Sequence, residues 1–181
     1  MPTLINPDLL HTQLFGDTDR DTYTILDGAS NPELLKMLWQ HNPQHICLYR
    51  GELDPEIAQV APYLVRLLPD SPFTDYILKG WGQHWGIFLF TQADLRSLRK
   101  HFRSFLIVQG PDGKALYFRY YDPRVLRVFL PTCDAQQAAT VFGPVSRYLM
   151  EDEDPGVMVR FWLEPNKVGW RRTPLTAPEA N

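Results

Sequence analysis

Apolar residues recur along this chain in short runs that switch between strand spacing and helix spacing. Tyr23-Thr24-Ile25-Leu26-Asp27-Gly28 reads as a buried strand closed by a turn. Asn31-Pro32-Glu33 then opens a helix with Leu34, Leu35, Leu38 and Trp39 at three-to-four spacing. His45 to Arg50 reads as a second strand ended by Gly51, a helical turn starts at Asp54-Pro55, and Tyr63 to Leu68, short and largely apolar, is a third buried strand. Ser71-Pro72 begins a helix with Phe73, Tyr76, Ile77 and Trp81 on one face, expected to run into Gly82. Gly86 to Phe90 is the next strand. Thr91 is expected to cap a helix that turns Leu95, Leu98 and Phe102 inward and Arg96, Arg99, Lys100 and Arg103 outward. A hairpin follows, 105–108 against 116–120 around Gly110-Pro111-Asp112-Gly113, and then helices over 123–130 and 134–149.

Strands alternating with helices from 23 to 149 predict an α/β fold, a layered sheet with flanking helices, mixed in strand direction because of the hairpin. Residues 1–21 form an N-terminal segment with an amphipathic turn around Leu9, Leu10 and Leu14, and 22–149 form the main domain. Residues 150–181 form a third stretch, where acidic Glu151 to Asp154 leads into a short C-terminal strand over 157–163 and a Pro-rich tail frayed at 176–181. That strand either closes the domain's own sheet or offers an edge, with Trp162 outward, to a partner.

One junction carries a capping signal. In Phe118-Arg119-Tyr120-Tyr121-Asp122-Pro123-Arg124, Asp122 precedes a proline, so its carboxylate can take the first free N–H groups of a helix beginning at Pro123. Arg119 and Arg124 flank that carboxylate, which makes the cluster a structural clamp or the floor of an active site, with the clamp expected.

Composition narrows the function. The 181 residues carry a formal charge of −3, which gives no global field for nucleic acid, and 13% aromatic residues with five Trp, a surplus that suits protein interfaces. Cys47 and Cys133 stand apart with no metal-knuckle spacing, and no apolar run approaches a membrane span, so the expectation is a cytoplasmic chain with no cofactor, no metal and no membrane.

Asp27, His84, His101 and Asp122 are the residues an enzyme would use, yet their spacing matches no catalytic motif. Arg96, Arg99, Lys100, His101 and Arg103 form either the solvated face of their helix or a dock for an acidic partner. Of Trp81 and Trp85, one is expected in the core and the other as an interface anchor.

Taken in order, Tyr23 to Ala29, Leu48 to Gly51, Ala61 to Val65, Trp85-Gly86-Ile87, Leu95-Arg96 with His101-Phe102-Arg103, Phe118 to Leu126 and Phe142-Gly143-Pro144 resemble a known family. It is that of the type VI secretion effector chaperones called Tap or Tec adaptors, long catalogued as a domain of unknown function, and the resemblance spans about residues 22–145. It implies a non-enzymatic cytoplasmic adaptor that binds the N-terminal region of a toxic effector and loads it onto the C-terminal end of a VgrG spike. It implies no catalytic residues. Asp27, Arg119, Asp122, Pro123 and Arg124 become a structural signature, and Trp81, Trp85, Arg96, Arg99, Arg103 and Trp162 are candidates for protein binding. The alternative is a small hydrolase or nuclease.

Overall fold

The computed structural model describes residues 5–176. In chain order the elements are α1 (Pro7–Phe15), β1 (Asp21–Asp27), α2 (Leu34–His41), β2 (His45–Cys47), α3 (Pro55–Val60), β3 (Pro62–Leu67), α4 (Pro72–Lys79), β4 (Gly86–Thr91) and α5 (Leu95–Ser104). They continue with β5 (Ile107–Gln109), β6 (Ala115–Tyr117), α6 (Pro123–Phe129), a 3-10 turn at Leu130–Thr132, α7 (Ala135–Phe142), β7 (Val145–Glu151), β8 (Val157–Leu163) and β9 (Val168–Pro174).

Seven strands form one sheet in the order β2-β3-β1-β4-β7-β8-β9, and β5 with β6 forms a separate two-stranded ribbon. Successive side chains on a strand point to opposite faces, and here both faces are buried. Tyr23, Ile25, Ile87, Leu89, Tyr148, Met150, Val159 and Phe161 pack on one side with Leu98 and Phe102 of α5, Leu126 of α6 and Phe142 of α7. Leu26, Phe88, Phe90, Leu149 and Met158 pack on the other with Leu10 and Leu14 of α1, Leu34 and Leu38 of α2 and Phe73 of α4. The result is a three-layer α/β/α domain, and two-sided burial explains why the strands read as continuous apolar runs.

The layered α/β class is as expected, while four details differ. Every pairing in the large sheet is antiparallel rather than mixed. The stretch 134–149 is a short helix followed by strand β7, because Gly143 adopts φ 47° and Pro144 cannot continue a helix. Asp94, not Thr91, caps α5 by accepting the Ser97 N–H at 2.8 Å. α4 stops at Lys79, where the Trp85 ring packs so closely on Gly80 that an added Cβ would come within 2.1 Å of it.

The C-terminal stretch belongs to the sheet. β8 pairs with β7 on one side and β9 on the other, so it is not an edge and no partner can complete it. The acidic run between β7 and β8 is a tight turn, with Val157 N–H on the Asp154 carbonyl at 2.9 Å and Gly156 N–H on the Asp154 side chain at 2.8 Å. Of the expected frayed end, residues 177–181 lie outside the described residues. Among the described residues no helix is long and apolar enough to cross a membrane.

Candidate functional site

Antiparallel pairing brings the end of β1, the starts of β3, β4 and β8 and the end of β7 to one end of the sheet. Four acidic side chains are buried there: Asp27, Asp122, Glu151 and Asp152, each no more than 4% exposed. Buried charge is tolerated only when its acceptor capacity is filled.

Asp27 accepts the Ala29 N–H at 3.0 Å and the Ser30 hydroxyl at 2.9 Å, which shapes the turn after β1. Arg119 then reaches the Asp27 carboxylate at 2.5 Å. Asp122 caps α6 by accepting the Arg124 N–H at 2.9 Å and also takes that residue's guanidinium at 3.0 and 2.8 Å, with Arg119 3.9 Å away. Burial pushes the Asp122 pKa up, but the bonds from Arg124 outweigh it and hold the carboxyl below its ordinary value. Both guanidiniums keep about half their surface in water, since Arg119 is 45% and Arg124 52% exposed.

A second pair lies alongside. Glu151 accepts the N–H groups of Gly82 at 2.9 Å and His84 at 3.1 Å, and the His84 ring nitrogen Nδ1 stands 2.8 Å away. Burial raises the Glu151 pKa, against these donors and the nearby imidazole. His84 holds φ 57°, a left-handed conformation that a non-glycine residue keeps only where its surroundings enforce it. Asp152 is clamped by Arg172, whose pair outweighs burial and lowers the Asp152 pKa.

Carboxylates filled in this way stitch elements together, and the lowered Asp122 and Asp152 are poor bases. The remaining candidate chemistry is equally occupied. His101 sits against Val141, its Nε2 3.0 Å from that carbonyl, and burial lowers its pKa. Cys47 and Cys133 are free and half-buried, and burial raises both thiols.

The tryptophans redistribute. Trp81 donates to the Pro155 carbonyl at 2.8 Å and stacks with Phe88 at 6.2 Å, while Trp85 lies over Gly80 beside Tyr76 at 5.1 Å. Both pack on the core. Trp162 is half-buried over Gly169 and donates to Glu164 at 3.2 Å. The exposed rings are instead Trp39, 86% exposed on α2 and so off the core face expected of it, and Trp170 on β9.

The basic helix α5 divides too. Arg96 and Lys100 are exposed and Arg99 is half-exposed. Arg103 turns inward and donates to the carbonyls of Cys47, Leu48 and Tyr49 at 2.8 to 3.0 Å. Beside it the β5–β6 ribbon exposes Ile107, Val108, Leu116 and Tyr117. A cleft of about 390 Å³ includes Tyr49, Leu53, Ile57 and Tyr117 on one side of the ribbon, and one of about 550 Å³ includes Val108, Phe118 and Phe129 on the other. The hairpin was visible in the sequence, but its separation from the main sheet was not.

A family model described as a domain of unknown function, DUF4123, matches residues 22–140. The chain belongs to the DUF4123 family. The matched span of the DUF4123 domain contains the whole Asp27, Arg119, Asp122 and Arg124 clamp and the exposed ribbon, while Glu151, Asp152 and strands β7 to β9 lie beyond it. No curated protein and no solved structure matches the chain.

Proposed function

We propose that this DUF4123 protein is a non-enzymatic cytoplasmic adaptor that binds the N-terminal region of a type VI secretion effector and delivers it to the C-terminal end of a VgrG spike. The observation that carries this reading is the β5–β6 ribbon, which leaves Ile107 at 54%, Leu116 at 49% and Tyr117 at 60% exposed. An isolated two-stranded ribbon is marginal in water, and apolar side chains on both its faces suit burial against a protein partner. The ordered resemblance to the Tap and Tec adaptors supports the same reading and supplies the partner classes. The filled carboxylates at the sheet end support a scaffold role for the family signature rather than catalysis.

Co-expression with the N-terminal fragment of a candidate type VI effector tests it. Co-elution as a stable complex is expected. Turnover of nucleic acid, ester or peptidoglycan that is lost in His84→Ala, with the fold retained, would replace the adaptor by a hydrolase or nuclease.

A further inference from the structure

Five cations gather around one edge of the molecule. Arg96, Arg99, Lys100 and Arg103 line a cleft of about 420 Å³ on α5, and Arg50, exposed after β2, lines the adjoining cleft with Arg103, Ile57, Ile107 and Tyr117. Arg103 thus forms the wall between a cationic surface and an apolar one. Most of the chain's other lysines and arginines pair with a carboxylate, while among the described residues these five do not. Their clustering runs against the formal charge of −3 of the whole chain.

The cations also act on one another. The Arg103 guanidinium is disfavoured first by burial and then by repulsion from Arg99, with Arg50 adding to it. Its own hydrogen bonds go to neutral carbonyls, which hold the Cys47–Tyr49 segment but neutralise nothing. An anion placed along α5 would relieve that repulsion, whereas the solvated face of an ordinary surface helix interleaves both signs.

Resting on the adaptor reading, we propose that this face is where the effector docks and that it takes an acidic, amphipathic stretch of polypeptide. Its carboxylates lie along Arg96, Arg99 and Lys100, and its apolar side chains enter the cleft formed by Ile57, Ile107 and Tyr117. The cleft joins aliphatic walls at Leu53, Ile57 and Ile107 to the Tyr49 and Tyr117 rings, which pack on each other at 5.5 Å, and this mixed apolar lining fits a leucine- or phenylalanine-sized side chain. Charge complementarity of this kind sets orientation and association rate, and the apolar cleft supplies the anchor.

The test uses the full chain and the recombinant N-terminal fragment of the candidate effector, with affinity read by calorimetry at low and high salt. Arg96→Glu with Lys100→Glu, and separately Ile107→Ser with Tyr117→Ser, change exposed side chains, so the melting temperature serves as the folding control. Each pair is expected to weaken binding by about tenfold or more. Wild type and the Ile107→Ser with Tyr117→Ser variant should lose affinity steeply with salt, the Arg96→Glu with Lys100→Glu variant should not, and a fragment with Asp and Glu replaced by Asn and Gln should bind weakly. Lys79→Glu with Arg171→Glu, exposed cations elsewhere, should change nothing. Equal binding by every variant would overturn the docking face and leave the adaptor reading intact, whereas a fragment that the wild-type chain does not bind would overturn both. Tight uptake of a single-stranded oligonucleotide that is abolished by Arg96→Glu with Lys100→Glu would overturn the acidic-polypeptide assignment.

Discussion

Arg119 meets Asp27 at 2.5 Å across 92 residues of chain. That contact ties the turn after the central strand β1 to the residues that enter α6, and the same guanidinium lies 3.9 Å from the α6 cap Asp122. The arginine therefore fixes two layers of the domain with one side chain.

Asp27→Ala leaves the Ala29 N–H and Ser30 hydroxyl without their acceptor and frees Arg119, at a cost of about 3 kcal/mol. Arg119→Ala should cost less, because Asp27 keeps its two local donors. Chemical denaturation of both variants checks the order. Equal costs would mean that the pair, rather than the turn, dominates.

Asp122→Ala removes the α6 cap and both guanidinium bonds, and roughly 1–3 kcal/mol is expected because Arg124 can turn to water. The acid limb gives a second reading. Asp122 and Asp152 are lowered in the folded state, so their contributions are present above the ordinary aspartate range and lost as pH falls through the folded values, below about pH 4. Glu151 is raised, so its contribution has the opposite sign, present at low pH and lost as pH rises through its folded value. Asp122→Asn should lower neutral-pH stability and flatten the acid loss, which a denaturation series across pH measures.

Truncation after Asp154 removes β8 and β9, and with them Val159 and Phe161 from one core and Met158 and Leu175 from the other. An aggregated or unfolded product is expected, read by circular dichroism. A folded, monomeric product would show that the first five strands of the sheet stand without them.

Gly143→Ala should be among the most damaging single changes. The residue sits at φ 47°, and an added Cβ would come within 2.4 Å of the His101 ring, which is held by the Val141 carbonyl. A loss of about 2 kcal/mol or more is expected in thermal melting, from strain and displaced packing together.

Much of this was legible in particular residues. Asp122-Pro123 and Ser71-Pro72 announced their helices because a cap followed by proline is a local signal. The path of 134–149 was not legible: Val141, Val145 and Tyr148 keep helical spacing through Gly143-Pro144, and only a neighbouring strand turns the second half into β7. The doubly buried strands gave no alternation from which pairing direction could be read. Asp27 and Arg119 lie too far apart for spacing to join them, and only the family resemblance put the two in one group. Glu151 was hidden inside an acidic run that reads as a solvated linker, although β7 carries its side chain under the His84 turn. One of Trp81 and Trp85 was expected to face outward, and both pack inward through three-dimensional contacts that spacing does not carry, Trp85 on Gly80 and Trp81 against Phe88 and Pro155.

The central claim is that the domain joins two proteins. The most direct measurement is reconstitution from three purified parts, this chain, the effector's N-terminal fragment and the VgrG C-terminal region, followed by mass determination across a size-exclusion peak. One complex containing all three is predicted, with the effector failing to join the spike when the chain is omitted. An effector that binds the spike equally well without this chain, or a chain that binds neither partner, would contradict the account.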